Sequence, residues 1–248
     1  MIQGTMSIAG NEARRIFTSP LAWTVLAIVG GISGFIFITL LVSLQQDPRA
    51  LSDYMGVSDY VSAGVFGFAT LLFLLVMPLM TMRLFAEERK SGAITLLFSA
   101  PVSLTQIVLG KFLGLMVFML AMLVLLSLMP ASLAFSTELD YGRLAAGLLG
   151  LLLMLMAFGA AGLFVSTLTR EPTIAAVGGF GLLLLLWLVD VLAYQDMPFA
   201  DLFRHLSLIG HYQNLRRGVF DTADLAYYLL FTGTFLWAAV QRLEMERN

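Results

Sequence analysis

Leu144-Ala-Ala-Gly-Leu-Leu-Gly-Leu-Leu-Leu-Met-Leu-Met-Ala-Phe-Gly-Ala-Ala-Gly-Leu-Phe-Val-Ser-Thr-Leu-Thr169 runs for 26 residues without Asp, Glu, Lys or Arg. A helix rising about 1.5 Å per residue crosses a hydrocarbon layer of about 30 Å in about 20 residues, so this stretch is long enough to span a bilayer. Its apolar residues are continuous rather than alternating, which is the pattern of a membrane helix and not of a barrel strand. Working outward, five more such windows appear, giving 21–44, 61–82, 112–135, 144–169, 172–189 and 225–241. Each reads as a span, the fifth reaching Asp190 at its outer edge (172–190). The expected fold is therefore an all-α polytopic membrane protein of six transmembrane helices in a single domain, 1–248.

Composition agrees. Hydrophobic residues make up 59% of the 248 and charged residues 12%, half the share of an average soluble domain, about 25%. Mean hydropathy is +0.90. A soluble globular protein and a disordered chain are both excluded, because neither could leave this much apolar surface in water. The net charge of −2 argues against a nucleic-acid binder working through a basic face. With no cysteine, thiolate nucleophiles, disulfides and Cys-ligated metals are absent.

The first window follows Arg14 and Arg15 but is too long for a signal-peptide core and lacks a small-residue cleavage site, so it reads as an uncleaved span. Placing both termini inside puts nine of the fourteen basic residues on the inner side, with only six of the sixteen acids. That bias predicts an N-in/C-in orientation. Before the first span, Met6, Ala9, Ala13, Ile16 and Phe17 recur at helical spacing, with Asn11, Glu12, Arg14 and Arg15 expected on the polar side. This predicts an interfacial helix over 6–18, lying on the inner membrane surface. Ser19 is placed to cap the first span, with Pro20 at its first helical position.

The loop from Arg83 to Lys111 is the longest inner connection. Glu87-Glu-Arg-Lys-Ser-Gly92 leaves the membrane, and apolar Ile94, Leu97 and Phe98 follow at i, i+3, i+4 spacing. Pro101 ends that short helix. Ser103 and Gln106 form a capping box for the next, with Val102 and Ile107 as its hydrophobic staple. Helix, turn, short helix, break, helix is an ordered arrangement outside the lipid, suited to docking a cytoplasmic partner. The alternative is that Glu87 to Lys90 is a solvated, positively flanked span end.

The outer segment 191–224 carries Leu202, Phe203, Leu206, Leu208, Ile209, Tyr212 and Leu215 and is too apolar for a free linker, so it is expected to fold back as short re-entrant helices. His205 and His211, six apart, do not share a helix face and read as interface residues rather than metal ligands. Gly30/Gly34 and Gly110/Gly114 are G-x-x-x-G pairs suited to close helix contact. No charge sits deep in a span, and no zinc-hydrolase, serine-hydrolase or Walker motif is present, so ion-coupled transport and membrane enzymology both lack their residues. Nothing points to a cofactor on this chain. A bundle with neither coupling ion nor active site takes its energy from elsewhere, most simply from a docked ATPase. The alternative function is a nucleotide-independent scaffold or channel-like subunit.

Glu87-Glu-Arg-Lys-Ser-Gly92 through Ala100-Pro101 and Gly110-Lys111 resembles the inner loop of type-2 ATP-binding-cassette (ABC) exporter permeases. The opening Asn11-Glu12 through Phe17-Thr-Ser-Pro20, Met82-Arg-Leu-Phe-Ala-Glu-Glu, Gly162-Leu-Phe-Val-Ser-Thr-Leu-Thr169 and Arg217-Gly-Val-Phe-Asp-Thr222 resemble the gliding-motility-associated permease subgroup. Nitrous-oxide-reductase maturation permeases are a looser match. The resemblance implies a permease subunit in a bacterial inner membrane that pairs with a second copy or paralogue and binds cytoplasmic ABC ATPase subunits, which would hold the ATP and Mg. An auxiliary membrane or periplasmic protein often accompanies this permease type. The resemblance also implies that 83–111 forms a cytoplasmic coupling helix between spans two and three. Glu87, Glu88, Arg89, Gly92, Leu97 and Pro101 would serve that coupling. Where the family reads Gly-Thr-x-Glu, this chain has Gly92-Ala93-Ile94-Thr95, so contacts of that Thr and Glu are altered here.

Overall fold

Every charge-free window coincides with a helix, and most of these helices run past the charges that bound the window. The structure, a computed structural model, describes residues 2–52, 54, 56–99, 102–135, 139–193, 204–218 and 221–247. Its helices are α1 (Ile2–Thr18), α2 (Pro20–Gln46), α3 (Val57–Ser91), α4 (Ala93–Ser99), α5 (Leu104–Ser132), α6 (Tyr141–Ser166), α7 (Pro172–Ala193), α8 (Leu208–Arg216) and α9 (Thr222–Arg247). Short 3-10 turns at Pro48–Leu51 and Leu133–Phe135 follow α2 and α5. Six of the helices, α2, α3, α5, α6, α7 and α9, are long and apolar enough to cross a membrane.

Several helices extend beyond the apolar windows into charged sequence. Lys111 lies inside α5, one turn and more beyond its start at Leu104, because carboxylates neutralise it there. α3 continues past Arg83 to Ser91, and α9 past Arg242 to Arg247. α6, by contrast, stops at Ser166, short of Thr169.

α6 is the axis of the bundle. In its apolar window 67% of residues are buried, against 17% in those of α2 and α7. The sequence explains this position: Gly147, Gly150, Gly159 and Gly162 leave room for large neighbours. A Cβ at Gly159 would stand 3.0 Å from Met116 and 3.1 Å from Met77, and one at Gly150 3.0 Å from Tyr212. α3, α5, α7, α8 and α9 all pack on α6, while α2 leans on α3 and α5 from outside. Trp23, Ile28, Phe35 and Ile38 on α2 stay exposed, a surface that hydrocarbon accepts and water does not.

The capping box forms as expected: Gln106 N–H donates to Ser103 Oγ (3.2 Å) and Ser103 N–H to Gln106 Oε1 (2.9 Å). Ile107 is buried and Val102 packs against the core. Ser19 does stand at the N-cap of α2 before Pro20, but its hydroxyl does not cap the helix. It accepts from the Arg83 guanidinium at 3.5 Å instead. Within the outer segment, α8 folds back over α6 with Leu208, Tyr212 and Leu215 buried. Leu202 and Phe203 lie outside the described residues.

Candidate functional site

α1 and the ends of α3 and α5 meet on one face of the bundle. α1 packs chiefly on α5, and the fit depends on Gly110 and Gly114. A Cβ at Gly110 would lie 2.7 Å from Ile8, and one at Gly114 2.6 Å from the Glu12 Cβ and 2.9 Å from the Ala9 carbonyl oxygen. This G-x-x-x-G pair therefore seats a helix of the same chain. Gly30 and Gly34 likewise face Leu125 and Met129 of α5.

That close approach corrects the expected faces of α1. Its buried residues are Ala9, Glu12 and Ile16, while Met6 is exposed. Glu12, assigned to the polar surface by periodicity, instead faces inward because Lys111 lies beneath it. The Lys111 ammonium, fully buried, donates to Glu12 Oε2 (3.1 Å) and Glu88 Oε1 (2.5 Å) and stands 5.3 Å from the Phe85 ring centre. Arg15 adds a bond to Glu12 (2.6 Å) and an ion pair with Glu88 (3.5 Å). Two carboxylates and two cations thus tie α1, α3 and α5 together. A buried ammonium is tolerated only when its charge is matched, and here two carboxylates each accept one of its protons.

Around this hub the expected site residues separate into two groups. Glu88 points into the hub, and Arg89, also buried, pairs with Glu246 near the end of α9. Glu87 and Lys90 are exposed; Lys90 reaches Glu171 at 2.8 Å, and Glu87 makes no ion pair among the described residues. Gly92 ends α3 with φ +76°, the left-handed conformation that favours glycine, and so turns the chain into α4. In α4, Ile94 is buried and Leu97 and Phe98 pack on the core, leaving Ala93 and Thr95 exposed. Pro101 lies outside the described residues. Sequence reasoning missed Lys111 and Glu12. The available signal was that Lys111 is one of two lysines in the chain and Glu12 the sole acid before Asp47.

The opposite face holds a polar cavity of about 370 Å³ lined by Asp190, Arg204, His205, Ser207, His211 and Asp224 among others. Its groups hold the outer segment down. Ser207 donates to Asp190, and the His211 ring pairs with Asp224 through Nδ1, faces the His205 carbonyl through Nε2 (3.2 Å) and stacks on Tyr227. Burial pushes the Tyr212 hydroxyl above its ordinary pKa. That hydroxyl has no hydrogen-bond partner among the described residues.

Six spans around a glycine-rich axis, with an ion-paired helical platform on one face, define a multi-pass membrane protein whose organised polar surface lies outside the bundle core. The sequence profile of the ABC-2 family transporter proteins matches residues 39–209, and the chain belongs to that family. It is thus a membrane component of a transporter, a permease subunit. No curated protein matches the chain. The family match takes in the end of α2 through the start of α8, and so includes α4 and Lys111 but not α1 or Glu12.

Proposed function

We propose that the α1 face is cytoplasmic and receives an ABC ATPase subunit, whose hydrolysis of ATP drives export, or force transmission to an outer partner, through this permease. One observation carries the reading. α3 runs on beyond its apolar stretch, turns at Gly92 and enters α4, whose apolar side is packed down while Glu87, Lys90, Ser91 and Thr95 stay exposed. A load placed on this segment reaches α5 through Glu88 and Lys111, α9 through Arg89 and Glu246, and α1 through Arg15. ATP and Mg belong to the partner, since this chain has no phosphate-binding loop.

The intramolecular pairing of Glu88 and Arg89 makes them positioning residues in this reading, with Glu87 the outward charge that meets the partner. The surplus of basic residues on the α1 face supports N-in/C-in insertion. The exposed apolar faces suit a bilayer and a second copy or paralogue. The resemblance of 11–20, 82–88, 162–169 and 217–222 to the gliding-motility-associated permeases favours that subgroup and a bacterial inner membrane.

The test is affinity purification of the tagged chain from native membranes in mild detergent, with ATP hydrolysis measured on what co-elutes. A stoichiometric ATPase is expected. Glu87→Arg should cut its recovery at least about tenfold, a loss of about 1.4 kcal/mol, while membrane insertion is unchanged. A chain that elutes alone and without hydrolysis would favour a nucleotide-independent scaffold or channel.

A further inference from the structure

The motif Gly162-Leu-Phe-Val-Ser166 finds its partner in α3, and we infer that Ser166 is a positioning residue: its hydroxyl stands in the hydrogen-bond ladder of α3 and makes 78–86 the pivot about which the 83–99 segment swings. Ser166 is fully buried at the end of α6. Its Oγ accepts from the N–H groups of both Phe85 and Ala86 at 3.1 Å and donates to the Met82 carbonyl at 3.2 Å. In an uninterrupted α-helix the Ala86 N–H bonds to the Met82 carbonyl directly. A side chain bridging those two groups is one of the identified causes of a helix bend.

One turn earlier the ladder is weakened again. Pro78 lies inside α3 and leaves the Leu74 carbonyl without its usual N–H. Thr81 Oγ1 donates to the Met77 carbonyl at 2.9 Å. Glycines bring the neighbouring helices against both weak points, Gly179 of α7 at Pro78 and Gly162 of α6 at Thr81. Before the pivot, α3 is packed on α6 and α7. Beyond it, the fastenings change: Glu88 to Lys111 on α5, Arg89 to Glu246 on α9. Displacement of one set of helices against the other therefore falls on 78–86. The Lys90–Glu171 pair, exposed on both sides, is too weak a tether to prevent it.

The inference rests on the reading of 83–99 as the segment a hydrolysing partner moves, and the experiment separates the two. The chain has no cysteine, so spin labels can be placed at Ser91→Cys and Ile174→Cys, both exposed, in the full chain in phosphatidylethanolamine–phosphatidylglycerol nanodiscs. From Ala86 to Ser91 the lever is about 7.5 Å, so a change of direction of about 20° at the pivot moves its tip by about 3 Å. Ser166→Ala should shift the 91–174 distance by about that much without any partner. Ser166→Thr, which keeps the hydroxyl, should restore the native distance to within about 1 Å of its value. If the alanine variant does not insert, Ser166→Gly removes the same hydroxyl and serves in its place. With the ATPase bound, the nucleotide-dependent change in this distance should fall at least about threefold in the hydroxyl-free variant, with ATPase recovery unchanged. An unmoved distance in both hydroxyl-free variants, or threonine behaving as alanine, overturns the pivot even where the ATPase binds. Absence of any ATPase overturns the docking reading, while the partner-free arm still decides the pivot.

Discussion

Lys111 is enclosed on all sides by protein, with Glu12 and Glu88 as acceptors. Removing one member of such a buried set leaves an uncompensated charge, which costs about 3–5 kcal/mol. Lys111→Met should lower the thermal midpoint of the purified chain by that equivalent, whereas Glu12→Gln with Lys111→Met should recover part of the loss, because fewer carboxylates are left unmatched. Additive losses in the double variant would show the two to be independent. Tyr212 gives the opposite case. Its buried hydroxyl lacks a partner, so Tyr212→Phe should be neutral or stabilising by about 1 kcal/mol. Burial raises its pKa in the fold, so its contribution to stability is constant below the unfolded value, about 10, and falls as pH rises above that. Tyr212→Phe should therefore lose less stability than the native chain between about pH 10 and 11, as read from thermal midpoints across that range. Equal alkaline losses would contradict the assignment. In the sequence both residues carry their chemistry but not their partners. Lys111 was visible as a charge interrupting an apolar run, and only the seating of α1 shows that it is neutralised within the fold.

At the level of elements, the six spans could be read from window length because lipid imposes a simple length criterion. The helix ends could not, since a helix runs on past a charge wherever another helix supplies the counter-charge, as at Lys111. α4 was legible from Ile94, Leu97 and Phe98 because three apolar residues at helical spacing need a surface to cover them, and Gly92 supplies the turn. The face of α1 was misread for a related reason: periodicity ranks residues by polarity, and here the glycines at 110 and 114 bring α5 close enough to draw Glu12 inward. Those glycines make the contact testable. A valine at 114 would drive its Cβ into the Ala9 carbonyl and the Glu12 side chain, and overpacking of this kind costs about 1–3 kcal/mol. Gly114→Val should detach α1 and raise the labelling of an Ala9→Cys probe, buried at 7% exposure in the native chain, several-fold. Gly31→Val, where a Cβ meets nothing, should leave that labelling unchanged.

The whole molecule has two unlike ends joined by a glycine-lined axis. On the α1 face, ion pairs cross between α1, α3, α5 and α9. On the other, Arg143 joins α6 to Asp59 of α3, and the His211–Asp224 pair joins α8 to α9. Both ends are thus fastened to α3, which carries an internal proline, the Ser166 hydroxyl against its backbone and a glycine turn leading to a further helix. In the proposed function, a permease driven from one face needs a member of this kind, held at its ends and able to bend between them. Which face is driven depends on orientation, and the basic bias predicts that the α1 face lies inside. With no native cysteine, single cysteines at Ser91 on that face and at Tyr141 on the other, both exposed, give a direct reading with a membrane-impermeant maleimide. In bacterial cells with a permeabilised outer membrane, Tyr141→Cys should label in intact cells and Ser91→Cys only after lysis. The reverse pattern would place Glu87 and α4 outside, beyond the reach of any cytoplasmic ATPase, and would overturn the docking reading.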